Sequence, residues 1–77
     1  MLDTQKIREH MEVLGADGVH VGEVDRVEGA KGIKLTRSDP LAQGEHHFVP
    51  LQWVDHIDSH VHLNKGSSEL LALWKNS

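Results

Sequence analysis

Short stretches in which hydrophobic and polar residues alternate predict that this chain folds mainly into β-strands. The clearest stretch covers residues 19–27, in which Val19 and Val21 fall on one face of a strand. Val24 is out of phase with both of these valines. Because a β-bulge changes the facing of the residues that follow it, and glycine inside a strand often marks one, we expect a bulge near Gly22.

Four further segments fit short strands, each bounded by residues typical of turns. These segments are residues 11–14, 33–37, 46–50 and 59–63. In the last of them, Val61 and Leu63 fall on one face, which we expect to be buried. His60 and His62 fall on the opposite face, so both imidazoles are expected to face the solvent.

Helical structure is predicted only at the two ends of the chain. Residues 1–10 fit an N-terminal arm or a single helical turn. Residues 67–75 fit a short C-terminal helix, because Leu70 and Trp74 are four residues apart and a serine at the start can cap it; a final strand is the alternative. The strands between are not joined by helical crossovers, so a parallel sheet is not expected.

The aromatic residues are few, and we expect them to dominate a small core. They are Phe48, Trp53 and Trp74. Burying one aromatic ring removes about 150–250 Å² of surface from water, which is a large share for a small domain. A tight turn at residues 51–54 is expected to carry Trp53 towards the interior.

Length and charge exclude several classes of function. The chain has 77 residues, which is one domain and too short for a (β/α)₈ barrel or a dinucleotide-binding enzyme. Its net charge of −4 argues against a nucleic-acid surface. The one basic cluster is therefore interpreted as a solvated face; it consists of Arg26, Lys31, Lys34 and Arg37.

The expected location of the protein is the cytoplasm. The chain has no cysteine, so nothing in it points to an oxidising compartment. No stretch approaches the roughly 20 apolar residues that a membrane helix needs, and the first residues contain no apolar run. We therefore expect no membrane association, and a single domain over residues 1–77 that forms a small antiparallel β-barrel with a short C-terminal helix.

Two segments of the chain resemble the signatures of the PRC-barrel domain. Residues 17–27 resemble its opening glycine turn and strand, and residues 48–57 resemble its second signature, a strand that ends at a proline. The pair Val61 and Leu63 resembles its closing strand. The chain looks similar to small stand-alone bacterial proteins of unknown function that carry such a domain. The resemblance implies a docking module, and it supplies no catalytic residues.

One motif suggests a metal site, but the chain is too short for the enzyme fold in which that motif is usually found. Residues 58–62 resemble the Asp-x-His-x-His metal motif of amidohydrolases, but that site needs ligands from a barrel of about 250 residues. A simpler metal site stays open, because imidazoles suit zinc, nickel or copper. Its candidate ligands are His46, His47, His60 and His62, with Asp58 on the same face if the strand begins early enough. The alternative is that these imidazoles are solvent-exposed or bonded to the backbone.

The histidine content also allows a response to pH. The chain has seven histidines, and protonating all of them changes the net charge from −4 to +3. Free histidine titrates near about pH 6.5, so mild acidification carries the net charge through zero. Histidine-rich surface composition without a function is the competing interpretation.

The sequence therefore predicts a non-enzymatic, cytoplasmic binding or adaptor module whose partner is unknown. Self-association as a homodimer would add burial to a small core, and the leucine-rich segment at residues 70–74 is the expected surface. No cofactor is expected. The alternative is a metal-binding or pH-responsive protein that uses His46, His47, His60 and His62.

Overall fold

A computed structural model describes residues 4–29, 32–39 and 44–75 of the chain. The described part is mainly β, with one short C-terminal helix, as the sequence predicted. Its strands are β1 (Glu12–Leu14), β2 (His20–Val27), β3 (Ile33–Leu35), β4 (Phe48–Val49), β5 (Val54–Ile57) and β6 (Val61–Leu63). Helix α1 spans Ser67–Lys75, and single 3₁₀ turns occupy Thr4–Lys6 and Leu51–Trp53.

The six strands form one mixed sheet in the order β4-β3-β2-β1-β6-β5. Four neighbouring pairs are antiparallel, but β1 and β6 are parallel, so the expectation of a purely antiparallel sheet is wrong. The reason lies in the link between β4 and β5. The pairings make these two strands run in the same direction, so the 3₁₀ turn Leu51–Trp53 continues the chain instead of reversing it as a hairpin would.

Strands β4 and β5 are the two edges of this sheet, which is open among the residues that the structure describes. A closed barrel therefore stays a prediction. The edge position matters for function, because an edge strand keeps unpaired backbone groups on its outer side.

The bulge predicted near Gly22 is present in β2. Val13 pairs with Gly22, whereas the next residue, Leu14, pairs with His20, so Val21 is the extra residue. A second shift in register occurs where β2 pairs with β3. Bulges increase the twist of a strand and change the facing of the residues that follow. Strand β2 can therefore bury both Val21 and Val24, although these residues are out of phase in a regular strand.

The core is aliphatic, which contradicts the expectation that the aromatic residues dominate it. Trp53 and Trp74 are half-buried and pack against the core, and Phe48 is 38% exposed. Phe48 faces outward because its neighbour Val49 takes the inward position of β4. The buried residues are Val13, Val21, Val24, Ile33, Leu35, Val49, Val54, Val61, Leu63 and Leu70.

Helix α1 is attached to the sheet at its first turn by a distant carboxylate. The Ser67 hydroxyl donates to Asp17 Oδ2 at 2.7 Å, and the Ser67 backbone N–H donates to Asp17 Oδ1 at 3.3 Å. These hydrogen bonds, the Ser67 hydroxyl first, hold the pKa of Asp17 below its ordinary value. The cap thus comes from the β1–β2 turn rather than from a local serine, and it positions Leu70 in the core.

Within the described ranges, α1 and the short turns lack the length and the apolar character that a membrane-crossing helix requires.

Candidate metal centre

The β5–β6 hairpin brings together two histidines and an aspartate. His62 lies between the buried residues Val61 and Leu63, so its side chain must face away from the core. His56 is the cross-strand partner of His62. Asp58 begins the turn that joins the two strands.

A bulge in β5 explains why His56 faces outward as well. Val54 pairs with Leu63, and His56 pairs with His62, so Asp55 is an extra residue between them. Without the bulge, a strand that buries Val54 would also turn His56 towards the core. With it, both Asp55 and His56 are exposed, which is how bulges commonly re-aim side chains at functional sites.

The donor atoms of these three residues converge on one point. The rings of His56 and His62 are stacked, with centroids 4.1 Å apart and an interplanar angle of 8°. His62 Nε2 lies 2.9 Å from Asp58 Oδ1, and His56 Nε2 lies 3.8 Å from Asp58 Oδ2. One ligand atom from each residue lies within 4.8 Å of the other two. Ligands of a tetrahedral zinc ion lie about 3.3 Å apart, so only small movements would close the site.

Neighbouring groups orient two of the three candidate metal ligands, His56 and Asp58. His56 Nδ1 donates to Asp55 Oδ2 at 2.7 Å, which leaves Nε2 as the nitrogen that can accept a metal. The backbone N–H of His60 donates to Asp58 Oδ1 at 2.8 Å. This backbone hydrogen bond, followed by the one from His62, holds the pKa of Asp58 below its ordinary value.

The site lies on the surface. The side chains of His56 and Asp58 are each 55% exposed, and that of His62 is 25% exposed. Two neutral imidazoles and one carboxylate are a donor set that zinc, copper and nickel accept. The hairpin can therefore hold a small cation at its outer face with three protein ligands.

A second histidine–carboxylate group lies next to this site, on β1 and β2. Glu12 joins two imidazoles, since Oε2 accepts from His20 Nδ1 at 2.8 Å and Oε1 lies 3.2 Å from His60 Nε2. His20 Nε2 in turn lies 2.5 Å from Asp39 Oδ2. Partial burial lowers the pKa of His20, but the hydrogen bonds to Asp39 and Glu12 outweigh it and raise that pKa above the ordinary value.

Of the four histidines predicted from the sequence, the structure places only His62 in the three-residue group. His60 is next to it, with the two ring centroids 6.0 Å apart, but its Nε2 is directed to Glu12. His46 and His47 lie elsewhere: His46 Nδ1 donates to a backbone carbonyl of β3 at 3.0 Å, and His47 stacks on a tryptophan of α1.

Sequence reasoning missed His56. The signal that could have found it is the spacing His56, Asp58, His62, in which two histidines flank an aspartate at a turn. The sequence pattern predicts no strand at residues 54–57, so it gives no sign of the cross-strand pairing of His56 with His62.

The comparison with protein families covers most of the chain and all three of these residues. The model of one bacterial family, DUF2171, matches residues 7–70. The chain belongs to the DUF2171 family. That family is described as an uncharacterized protein conserved in bacteria, which confirms the expectation of a bacterial family of unknown function. No match was found among the curated proteins.

This DUF2171 protein also has an apolar groove beside α1. The groove has a volume of about 420 Å³, and its walls include Phe48, Trp53, Leu73 and Trp74. Leu73 is 42% exposed, whereas Leu70 is fully buried in the core. The leucine-rich segment therefore offers only part of the surface that the sequence suggested, and a homodimer through it stays a prediction.

The basic residues that the sequence singled out are partly neutralised in this DUF2171 protein. Glu28 Oε1 lies 2.8 Å from Arg26 Nη2 and 3.8 Å from Lys34 Nζ. Arg37 is exposed, and Lys31 lies outside the described residues. Arg26 and Lys34 thus share a carboxylate, as expected for a solvated charged face.

Proposed function

We propose that this protein is a non-enzymatic binding module whose ligand is a divalent transition-metal ion, with zinc as the best fit. The ligands are His56 Nε2, His62 Nε2 and the Asp58 carboxylate. The observation that supports the proposal is that one possible ligand atom from each of these three residues lies within 4.8 Å of the other two, at one hairpin.

Hydrogen bonds hold the two imidazoles on different carboxylates, His56 on Asp55 and His62 on Asp58. His62 is bonded to Asp58, but His56 Nε2 is 3.8 Å from that carboxylate, beyond hydrogen-bond distance. A cation between Asp58 and the two nitrogens would displace the proton that His62 Nε2 donates to Asp58.

The donor set also selects the class of metal. Magnesium and calcium prefer six or more oxygen ligands, whereas this site offers two nitrogens and one carboxylate. Zinc takes four ligands from histidine, cysteine and carboxylates. Nickel and copper bind imidazole as well, so we expect them to compete with zinc.

Exposure favours binding over catalysis. The side chains of His56 and Asp58 are 55% exposed, whereas catalytic centres commonly exclude water around the reacting groups. The resemblance to PRC-barrel domains supports the same class, since those domains act as docking modules. A PRC-barrel-like closure of the sheet and a cytoplasmic location belong to this proposal.

Calorimetric titration of the tag-free protein with Zn²⁺, Ni²⁺ and Mg²⁺ tests the proposal. We expect saturable binding of one zinc ion per chain, similar behaviour with nickel and no binding of magnesium. The double variant His56→Ala/His62→Ala should lose the binding, and the matched control His46→Ala/His47→Ala should retain it. Wild-type protein without saturable zinc binding, or a control as defective as the site variant, would contradict the proposal.

A further inference from the structure

The candidate metal centre offers fewer ligands than its best-fitting metal takes. Three donors converge in the group formed by His56, Asp58 and His62, and the described part of the chain adds no fourth member to it. Structural zinc sites are almost always four-coordinate and closed by protein ligands. As far as the described residues go, the fourth position is therefore open to a water molecule or to a donor from a second molecule.

The location of the centre leaves room for a second molecule. Within the described ranges, strand β5, which carries His56, is an edge of the sheet and pairs only with β6. An edge strand is a surface on which another chain can pack. Because His56 and Asp58 are largely exposed there, a donor from a second molecule can reach the open position without rearranging the core.

The hairpin itself carries donors that the three-residue group does not use. Asp55 and His60 lie on the same hairpin, and their side chains are 63% and 38% exposed. A second copy of this hairpin, related by a two-fold axis, would therefore bring a carboxylate or an imidazole to each open position. In such an isologous contact each copy completes the site of the other.

The charges of the hairpin make this contact depend on the metal. Residues 54–63 contain two aspartates and neither lysine nor arginine. Two facing hairpins thus bring four carboxylates together, which repel one another. Two divalent cations carry the four positive charges that balance them.

We propose that zinc joins two copies of this chain into a two-fold symmetric dimer through their β5–β6 hairpins. Each ion is bound by His56, Asp58 and His62 of one copy and by one donor from the hairpin of the other copy. This inference rests on the proposed metal-binding function and adds the partner, which is a second copy of the chain.

Sedimentation velocity with and without Zn²⁺ tests the dimer. The metal-free protein should sediment as a monomer of 8.6 kDa, and one equivalent of zinc should double the mass. Chelation with EDTA should restore the monomer. The variant His56→Ala/His62→Ala should stay monomeric in zinc, and the control His46→Ala/His47→Ala should dimerise as the wild type does.

A second variant locates the donor that crosses between copies. His60→Ala keeps the three ligands and keeps Asp55 as the acceptor for His56 Nδ1, but removes the imidazole of the hairpin that the three-residue group does not use. Because Asp55 already accepts from His56 Nδ1, we take His60 as the donor that crosses to the other copy, and we expect this variant to bind one zinc ion as a monomer. Dimerisation of this variant like the wild type would overturn the hairpin-to-hairpin arrangement.

The outcomes separate this inference from the proposed function. Zinc binding at one ion per chain with an unchanged monomer mass would overturn the dimer and leave the metal centre intact. Absence of zinc binding would remove both. A dimer that persists in EDTA, or zinc-driven aggregation without a discrete dimer, would also overturn the inference.

Discussion

Two pairs of histidines in this protein are arranged in opposite ways. His56 and His62 are six residues apart, yet they are cross-strand partners whose rings stack at 4.1 Å. His46 and His47 are adjacent in sequence, yet one bonds the Leu35 carbonyl and the other stacks on a tryptophan. Proximity in the sequence therefore misidentifies the pair of histidines that can bind one metal ion.

The difference follows from strand geometry. Consecutive residues of an extended chain face opposite sides, so His46 and His47 diverge. Residues directly opposite each other in an antiparallel pair face the same side, so His56 and His62 converge. The bulge at Asp55 is needed for this convergence, because it sets the register in which His56 pairs with His62.

The surroundings of the two pairs differ as well. Carboxylates surround His56 and His62, with Asp55 and Asp58 both bonded to these imidazoles. His46 and His47 border the apolar groove beside α1. The carboxylates favour the binding of a cation, whereas the groove favours packing.

The largest expected effect is the loss of zinc affinity when a ligand of the first pair is removed. We expect His56→Ala or His62→Ala to weaken zinc binding by more than about 100-fold, because each removes one of three direct ligands, and even outer partners of a ligand contribute 10–100-fold. Competition with a chromogenic chelator measures the change. The same substitution at His46 should leave affinity unchanged; an equal loss there would erase the contrast between the pairs.

A smaller effect is expected for the residue that orients His56. Asp55→Ala removes the acceptor of the His56 Nδ1 proton, and we expect zinc affinity to fall by about 10-fold or somewhat more. Asp55→Asn keeps an acceptor and should lie close to the wild type in the same competition assay. If Asp55→Ala binds zinc as the wild type does, Asp55 has no orienting role.

A fifth histidine, His20, extends the comparison to stability. Its pKa is raised by Asp39 and Glu12 above the ordinary value of 6.5. A raised folded-state pKa stabilises the protein fully below the unfolded-state pKa, and this contribution is lost as pH rises through the folded-state pKa. We expect His20→Gln to lower the unfolding temperature more at about pH 6 than at about pH 8.5. His47→Gln is the control; a pH-independent effect at His20 would refute the role of its carboxylates.

The smallest expected effect concerns the apolar groove. Leu73→Glu changes an exposed side chain, so we expect the free energy of unfolding to change by no more than about 0.5 kcal/mol. The zinc-dependent dimer should form as in the wild type, which sedimentation velocity measures. If Leu73→Glu abolishes dimerisation instead, the leucine-rich segment carries the contact that we assign to the hairpins.

The sequence was sufficient for elements that follow a simple period. Ile33 and Leu35 are buried around a less buried lysine, and the C-terminal helix spans the predicted residues. The bulge near Gly22 was predictable because valines on either side of it are out of phase. In each case the hydrophobic pattern of neighbouring residues shows which face is buried.

The candidate site was only partly predictable, because it depends on register. In β5 the bulge at Asp55 exposes two consecutive residues, which hides the alternation that identifies a strand. The parallel pairing of β1 with β6 joins strands that are distant in sequence, so no local pattern records it. The outward position of Phe48 likewise follows from the inward position of Val49, not from its own hydrophobicity.

Nitrogen-15 NMR of the histidine side chains in the presence of Zn²⁺ tests the central claim most directly. We predict that one equivalent of zinc moves the Nε2 resonances of His56 and His62 to metal-bound values and leaves those of His46 and His47 in place. If zinc leaves the Nε2 resonances of His56 and His62 unchanged, or binds through other histidines, the β5–β6 hairpin is not a metal centre.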